Sequence, residues 1–483
     1  MFKTIVSKEL RENIQDFRFI VAVLLCVIII PLGFYISGKD YQAKEQNDRE
    51  SVRIYDESHK GIVDVMRQGA AAFRPSSPLD LLSAGVEHLL PTSIETVGYI
   101  TYWGAQTQFV NARSLDSPMS FLYGRIDLTF IVAVIMSLLA MLFTYNSVAG
   151  EKERRTLSLI LANPVPRSTL ILAKMTAGSL LIGIVFLLGM MLGLAVLLII
   201  GHAIFADAGL FGRFLVGAAV SLLYVLVFLN FGLLISSLNR SALSAIVSLM
   251  SCWVFLFLIL PRVSVIAAKI VRPVKSQQVI DMEKSQVRAQ MQKEEYQEIG
   301  RLQKTMPGVK DMAARDFFAN LRKGEESAKA FERKQNEVKD QFRVRCDAEL
   351  NRIDTLYENQ RNLQAEIARN ISRLSPVSCF IHIMAEISNT GFVEYREWQE
   401  TRSRFKQLLD REISTKMDMI QFGNMSVGGG KIDRAAPMPR TEYRPVRLDK
   451  VISAVWPDVL VLLIYGILFF AGAYVIFLRY DVR

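Results

Sequence analysis

Apolar and polar positions alternate along this chain in long blocks rather than residue by residue. Six runs are almost wholly apolar: Phe17–Ile36, Leu128–Val148, Ala177–Ile200, Phe214–Ser236, Ala242–Leu260 and Ser453–Leu478. Each is close to the roughly 20 residues a helix needs to cross hydrocarbon. Backbone amides in hydrocarbon must be satisfied within their own segment, so these runs are predicted to be transmembrane helices. Two polar blocks interrupt the series, residues 37–127 and residues 262–451. The pattern predicts an all-α polytopic membrane protein: six transmembrane helices, with a large, mainly helical domain between the fifth and the sixth.

Inside the larger block, Val287, Met291, Ile299, Leu302 and Met306 recur at helical spacing from Val274 until Pro307-Gly308 stops the pattern. From Val338 to Leu374 the spacing is heptad-like. Phe342, Leu356 and Leu363 share one position and Cys346, Ile353, Ile367 and Leu374 another, with Glu349, Gln360 and Asn370 interrupting. A narrow stripe of this kind suits a coiled-coil hairpin with a partner, or a merely solvated helix pair. After Ser375-Pro376, the apolar segment Val377–Ile387 is too short to span and is expected at the membrane surface or in the base of the domain. Asn389-Thr390-Gly391 predicts a turn, Val393–Ile413 a charged helix, and Gly423–Pro445 a linker. The smaller block is poor in periodic strands and is expected to pack against the larger one.

Of 483 residues, 22% are charged, and nearly all of those lie outside the six runs. The net charge of +10 is built from interleaved acids and bases with no continuous cationic run, which argues against nucleic acid. The short loops set orientation: Lys3, Lys8, Arg11, Lys152, Arg154, Arg155, Arg167, Lys174, Arg240, Arg479 and Arg483 all fall on one side. That side is expected to be the cytoplasm of a bacterial inner membrane, with both termini (residues 1–16 and 479–483) inside and residues 37–127 and 262–451 outside. The first run is expected to stay as a signal anchor. Cys346 and Cys379 then lie where a disulfide is permitted, which spacing alone does not decide.

Catalytic constellations are missing from the sequence. His59, His88, His202 and His382 lack metal-site spacing, and no cysteine pair completes a ligand set. Gly430-Lys431 resembles a phosphate loop, but Ile432 stands where Ser or Thr is required and Met425 where the first glycine belongs. The runs lack the acids and lysines of an ion-coupled carrier, with Asn230 and His202 the polar exceptions. The reading is therefore of a chain that is not an enzyme and binds no cofactor itself.

Between the second and third runs, residues 149–176 carry five consecutive charges, Glu151-Lys152-Glu153-Arg154-Arg155, followed by Thr156 and the apolar Leu157, Ile160 and Leu161. Charges for register beside an apolar face suit a docking element; a plain charged turn that fixes topology reads the same way. Glu151, Glu153, Thr156, Leu157, Pro164, Arg167 and Lys174 resemble the coupling segment of type-two ATP-binding cassette (ABC) exporter permeases. Lys8-Glu9-Leu10-Arg11-Glu12 resembles the amphipathic elbow helix of that class. Pro78-Leu79 through Gly85-Val86, Leu260-Pro261-Arg262, Leu374-Ser375-Pro376 and Phe477–Arg483 resemble pieces of its subgroup labelled multicopper-enzyme maturation permeases.

The resemblance implies a permease subunit that pairs with a second permease copy or a related chain and with ABC ATPase subunits, which bind ATP and Mg. It implies ATPase coupling through Glu151, Glu153, Arg154, Thr156, Leu157, Leu161 and Arg167, and through the elbow residues Lys8, Glu9 and Arg11. Export, or mechanical work on an extracytoplasmic protein partner, is the expected task. The alternative is a non-transporting scaffold that presents a coiled-coil adaptor from a lipid-embedded anchor.

Overall fold

The computed structural model describes residues 2–58, 71–87, 93–101, 104–112, 125–162, 166–308, 310, 325–423, 443 and 446–480. The linker 423–445 and the Gly430-Lys431 motif, His59, His88 and Asn163–Val165 lie wholly or mostly outside these residues. Six helices among the described residues are long and apolar enough to cross a membrane: Phe17–Glu57, Leu128–Glu153, Arg167–Ile200, Ala208–Leu238, Ala242–Val271 and Leu448–Leu478. They correspond one to one with the six apolar runs.

The spans are unequal. In the second and fourth, 67% of the apolar window is buried inside the chain, against 11% in the fifth and 17% in the sixth. The second and fourth are thus the core of the bundle, and the fifth and sixth turn their apolar faces outward. Small and hydroxyl residues allow the central pair to approach. A Cβ on Gly232 would stand 2.0 Å from Thr144 Oγ1, and Tyr224 donates its hydroxyl to the carbonyl of Ala133 at 3.1 Å. Two π-turns, Ile131–Met136 and Phe255–Ile259, break the regular ladders of the second and fifth spans. Trp253 Nε1, just before the second of these turns, donates to Ser137 Oγ, just after the first, at 3.1 Å.

The short apolar helix Pro376–Ile387, expected at the membrane surface or in the base of the domain, is packed into the bundle. Ten of its residues, among them Phe380, Ile383 and Met384, are buried. Phe380 stacks on Tyr224 of the fourth span with ring centroids 4.3 Å apart, and Ser375, which caps the helix, donates to the carbonyl of Leu256 at 2.7 Å. Arg373 pairs with Asp458 of the sixth span at 2.7 Å, and Asp458 is fully buried. The helix is therefore stapled to the fourth, fifth and sixth spans. Eleven mostly apolar residues cannot span, but they can fill a bundle that neighbours already surround.

In the smaller polar block, the first helix continues from Phe17 to Ser58 as one rod. Beyond it lies a three-stranded sheet in the order β1-β2-β3, with β1 (Ala71–Phe73) antiparallel to β2 (Ser93–Thr101), followed by β3 (Gly104–Ala112). The sheet was not legible because its apolar positions alternate too weakly, although Ile94, Val97, Tyr99 and Phe109 are the β-branched and aromatic types strands favour. As expected, the block packs on part of the larger one. Val86 N donates to the carbonyl of Thr390 at 2.8 Å and Ser77 Oγ to that of Ser388 at 2.7 Å. Gly85, at φ +46°, sits where a Cβ would come within 2.3 Å of the Thr390 carbonyl oxygen.

Residues 262–371, with residues 100–104, form a separate compact unit. Its main feature is two helices, Gln277–Thr305 and Glu326–Ser372. Gln364 bonds the Arg272 carbonyl, Lys284 pairs with Asp354, and Ile299 packs with Phe331, so the helices run antiparallel. Only part of the heptad seam is used. Phe342, Cys346 and Ile353 are buried, but Leu356, Leu363 and Leu374 are exposed. No disulfide joins the four cysteines.

Candidate functional site

The charged segment after the second span folds as two short helices, Ala149–Glu153 and Thr156–Leu161. The reversal between them is Arg155, at φ +58°, a left-handed conformation uncommon for a residue with a side chain. This knuckle gathers chain ends. Ser236 Oγ accepts from Val148 N and Ala149 N at 3.1 and 3.0 Å and donates to the Tyr145 carbonyl at 2.7 Å. Glu153 accepts from Ala242 N at 2.8 Å, satisfying an orphan amide at the start of the fifth span. Lys152 donates to the carbonyls of Ser237 and Asn239 and lies over the Tyr480 ring. Arg167 donates to the carbonyls of Leu478 and Tyr480 at 2.9 and 2.7 Å, closing the end of the sixth span.

At its centre is one buried cation. Lys174, in the third span, donates to Glu9 at 2.9 Å and to Glu151 at 2.6 Å, and its side chain is only 2% exposed. Glu9 belongs to the N-terminal helix Phe2–Gln15, which buries Val6 and Glu9 and leaves Lys8 and Arg11 outward. Three elements are thereby joined by a single ammonium group. Two carboxylates on one lysine are tolerable in this setting only while both ion pairs are made, because losing the partner of a buried charge costs about 3–5 kcal/mol. Arg18 lies over the Tyr145 ring at 4.8 Å, adding a second contact between the N-terminal region and the second span.

The apolar face of the knuckle points inward. Leu157 is buried with Val148, Leu170, Ile171, Leu233, Ala473 and Phe477, and Ile160 packs on the same cluster. The side chain of Leu161 lies outside the described residues. A face of Leu157, Ile160 and Leu161 was expected to meet a partner, but Leu157 and Ile160 instead anchor the knuckle to the chain's own helices. What faces outward is Arg154, Arg155 and Thr156, together with Leu159, which is 69% exposed. Sequence reasoning missed Leu159, although its offset from the Leu157–Ile160 face on a helical wheel marks it. It also missed Ser236 and the bonds that Lys152 makes, all of them to backbone groups.

The other end of the bundle carries a denser ionic cluster. Lys44 contacts Asp40, Asp80 and Glu87 at 3.3, 3.2 and 3.7 Å. Arg125 contacts Asp40, Asp80 and Glu87 as well, and Arg74 approaches Glu87 at 3.8 Å. Burial, reinforced by Asp80, pushes Glu87 above the usual carboxylate range despite its three cationic neighbours. Asp127 caps the second span, accepting from Phe130 N at 2.7 Å and Ala84 N at 2.8 Å.

The family described as ABC-2 family transporter protein matches residues 3–482 of the chain. The chain is also similar to the probable ABC transporter permease protein NosY of Pseudomonas aeruginosa, at 33% identity over 137 residues. That similarity covers 28% of the chain and 48% of the relative, about half of its length.

Proposed function

Because the chain belongs to the ABC-2 transporter family, we propose that it is the membrane permease of an ATP-driven exporter whose ATPase subunits are separate chains. The knuckle and the N-terminal helix lie on the cytoplasmic side of a bacterial inner membrane in this reading. The observation that carries it is the Lys174 centre, which makes those two elements one body bound to the third span while Arg154, Arg155, Thr156 and Leu159 remain outward. A motor closing against that tip would move the second, third and fifth spans together, because Glu151, Lys174 and Glu153 link them. The drive is the difference in contact between the tip and the open and closed ATPase dimer.

The outward tip is basic around one leucine, so its complement on the ATPase is an apolar groove with an acidic rim. The outward apolar faces of the fifth and sixth spans suit a second permease, either a copy or a related chain, with lipid around the rest. The test is reconstitution with the co-purified ATPase: Leu159→Asp abolishes the permease-dependent part of ATP hydrolysis while assembly of the membrane domain is retained. Unchanged hydrolysis would refute the reading.

Exposed Leu356 and Leu363 on the long hairpin favour a second task, gripping an extracytoplasmic protein, with or without transport. Stimulation of hydrolysis by a periplasmic protein, and not by lipids, peptides or small hydrophobes, would select mechanical work over export. Retention of that protein by a chain that has lost its ATPase would select the scaffold.

A further inference from the structure

Four stretches of chain that are distant in sequence meet around one carboxyl group, Glu394. It lies in the first turn of the helix Phe392–Gly423 and is 2% exposed. Glu386, from the short helix before it, holds the start of this helix, accepting from Phe392 N and Val393 N at 3.2 Å each. Tyr443, on the approach to the sixth span, donates its hydroxyl to Glu394 Oε1. One turn along, Trp398 is fully buried and packs edge-on against Tyr443 at 5.8 Å.

Polar atoms are left over at this junction. Among the described residues, Glu394 Oε2, Trp398 Nε1 and Arg74 Nε and Nη2 are buried without a hydrogen-bond partner. The charged groups facing Glu394 are Arg74 from the smaller polar block, Arg213 from the start of the fourth span, Glu386 from the short helix and Glu397 from its own helix. Arg213 is committed elsewhere, to Asn389 and to the carbonyl of Val446 at 3.2 Å. Glu397 is held by Lys450 at 2.8 Å. Among the described residues no cation makes a direct bond to the Glu394 carboxyl, and the Tyr443 hydroxyl is a donor that either protonation state accepts.

We propose that Glu394 is a proton-controlled latch: protonated, it holds the smaller polar block, the fourth span and the approach to the sixth span together, and ionised, it loosens that junction. The inference does not depend on the exporter reading. Burial pushes the Glu394 carboxyl up to about 7, aided by Glu397 and Glu386 and opposed by Arg74 and Arg213. The raised value fixes the sign. The packed junction favours the neutral acid, so its contribution is complete below the ordinary glutamate range and is lost as pH rises through about 7.

The experiment is hydrogen–deuterium exchange of the purified full chain in lipid nanodiscs, following the amides of Phe392–Trp398 from pH 5.5 to 8.5 after correction for intrinsic exchange. Protection is expected to fall by up to about tenfold for each pH unit as pH rises toward about 7, and to level off above it, where the carboxyl is ionised in the packed junction as well. Glu394→Gln keeps the acid-form protection across the range. If that variant does not fold, Arg74→Gln in its place moves the midpoint upward, since a stabilising charge is gone. Flat protection in the unmodified chain, an unshifted midpoint in Arg74→Gln, or a fall that persists in Glu394→Gln would each overturn the latch. So would loss of the transition in His382→Gln, which would assign it to the histidine.

Discussion

The two ends of the membrane bundle are both held by buried ions, but they are wired differently. At the knuckle a single cation, Lys174, carries two acids from two other elements. At the opposite end Lys44 and Arg125 share the same three acids, and Arg74 adds a third cation. Shared ligation makes each cation replaceable and fixes the base of the smaller polar block. Sole ligation makes the elements move together or come apart together. The first arrangement suits a platform and the second suits a lever.

Lys174→Met should therefore have the largest effect, about 3–5 kcal/mol, because it strands Glu9 and Glu151 in a buried site. Lys44→Met should cost about 1–2 kcal/mol, since Arg125 still faces Asp40, Asp80 and Glu87. Thermal unfolding of the two variants in one detergent measures the gap, and equal costs would remove the distinction between the ends. Within the knuckle, Leu157→Ala should cost about 2–5 kcal/mol as a buried leucine leaving a cavity. Leu159→Ala should stay within about 0.5 kcal/mol yet weaken ATPase stimulation. At the platform, Gly85→Ala should cost about 1–3 kcal/mol, from positive φ and the Thr390 carbonyl in the path of the new methyl group. Leu356→Ser on the hairpin should likewise leave stability unchanged to within about 0.5 kcal/mol, because that leucine already faces outward.

The spans were legible because a bilayer imposes one length and one composition on every crossing helix. The rod beyond the first span was legible only in hindsight. Residues 37–58 are too polar to register as a span, yet they carry the helical pairs Glu45–Arg49 and Arg53–Glu57. Glu9, Glu151 and Lys174 were each singled out along the chain. That Lys174 binds both was not readable, since Glu9 is 165 positions away and no local rule pairs charges at that distance. The Leu157 face was read correctly as adhesive, but periodicity does not say whether an apolar face meets its own chain or another. The same ambiguity left Pro376–Ile387 either at the membrane surface or in the base of the domain, and its apolar residues pack into the bundle.

The most direct test of the lever is photocrosslinking from the knuckle in the assembled complex, with a photoreactive residue at position 159 and, separately, at position 157. The account predicts a crosslink to the ATPase from position 159 and only intrachain products from position 157. A crosslink from 157 to the ATPase with none from 159 would contradict it.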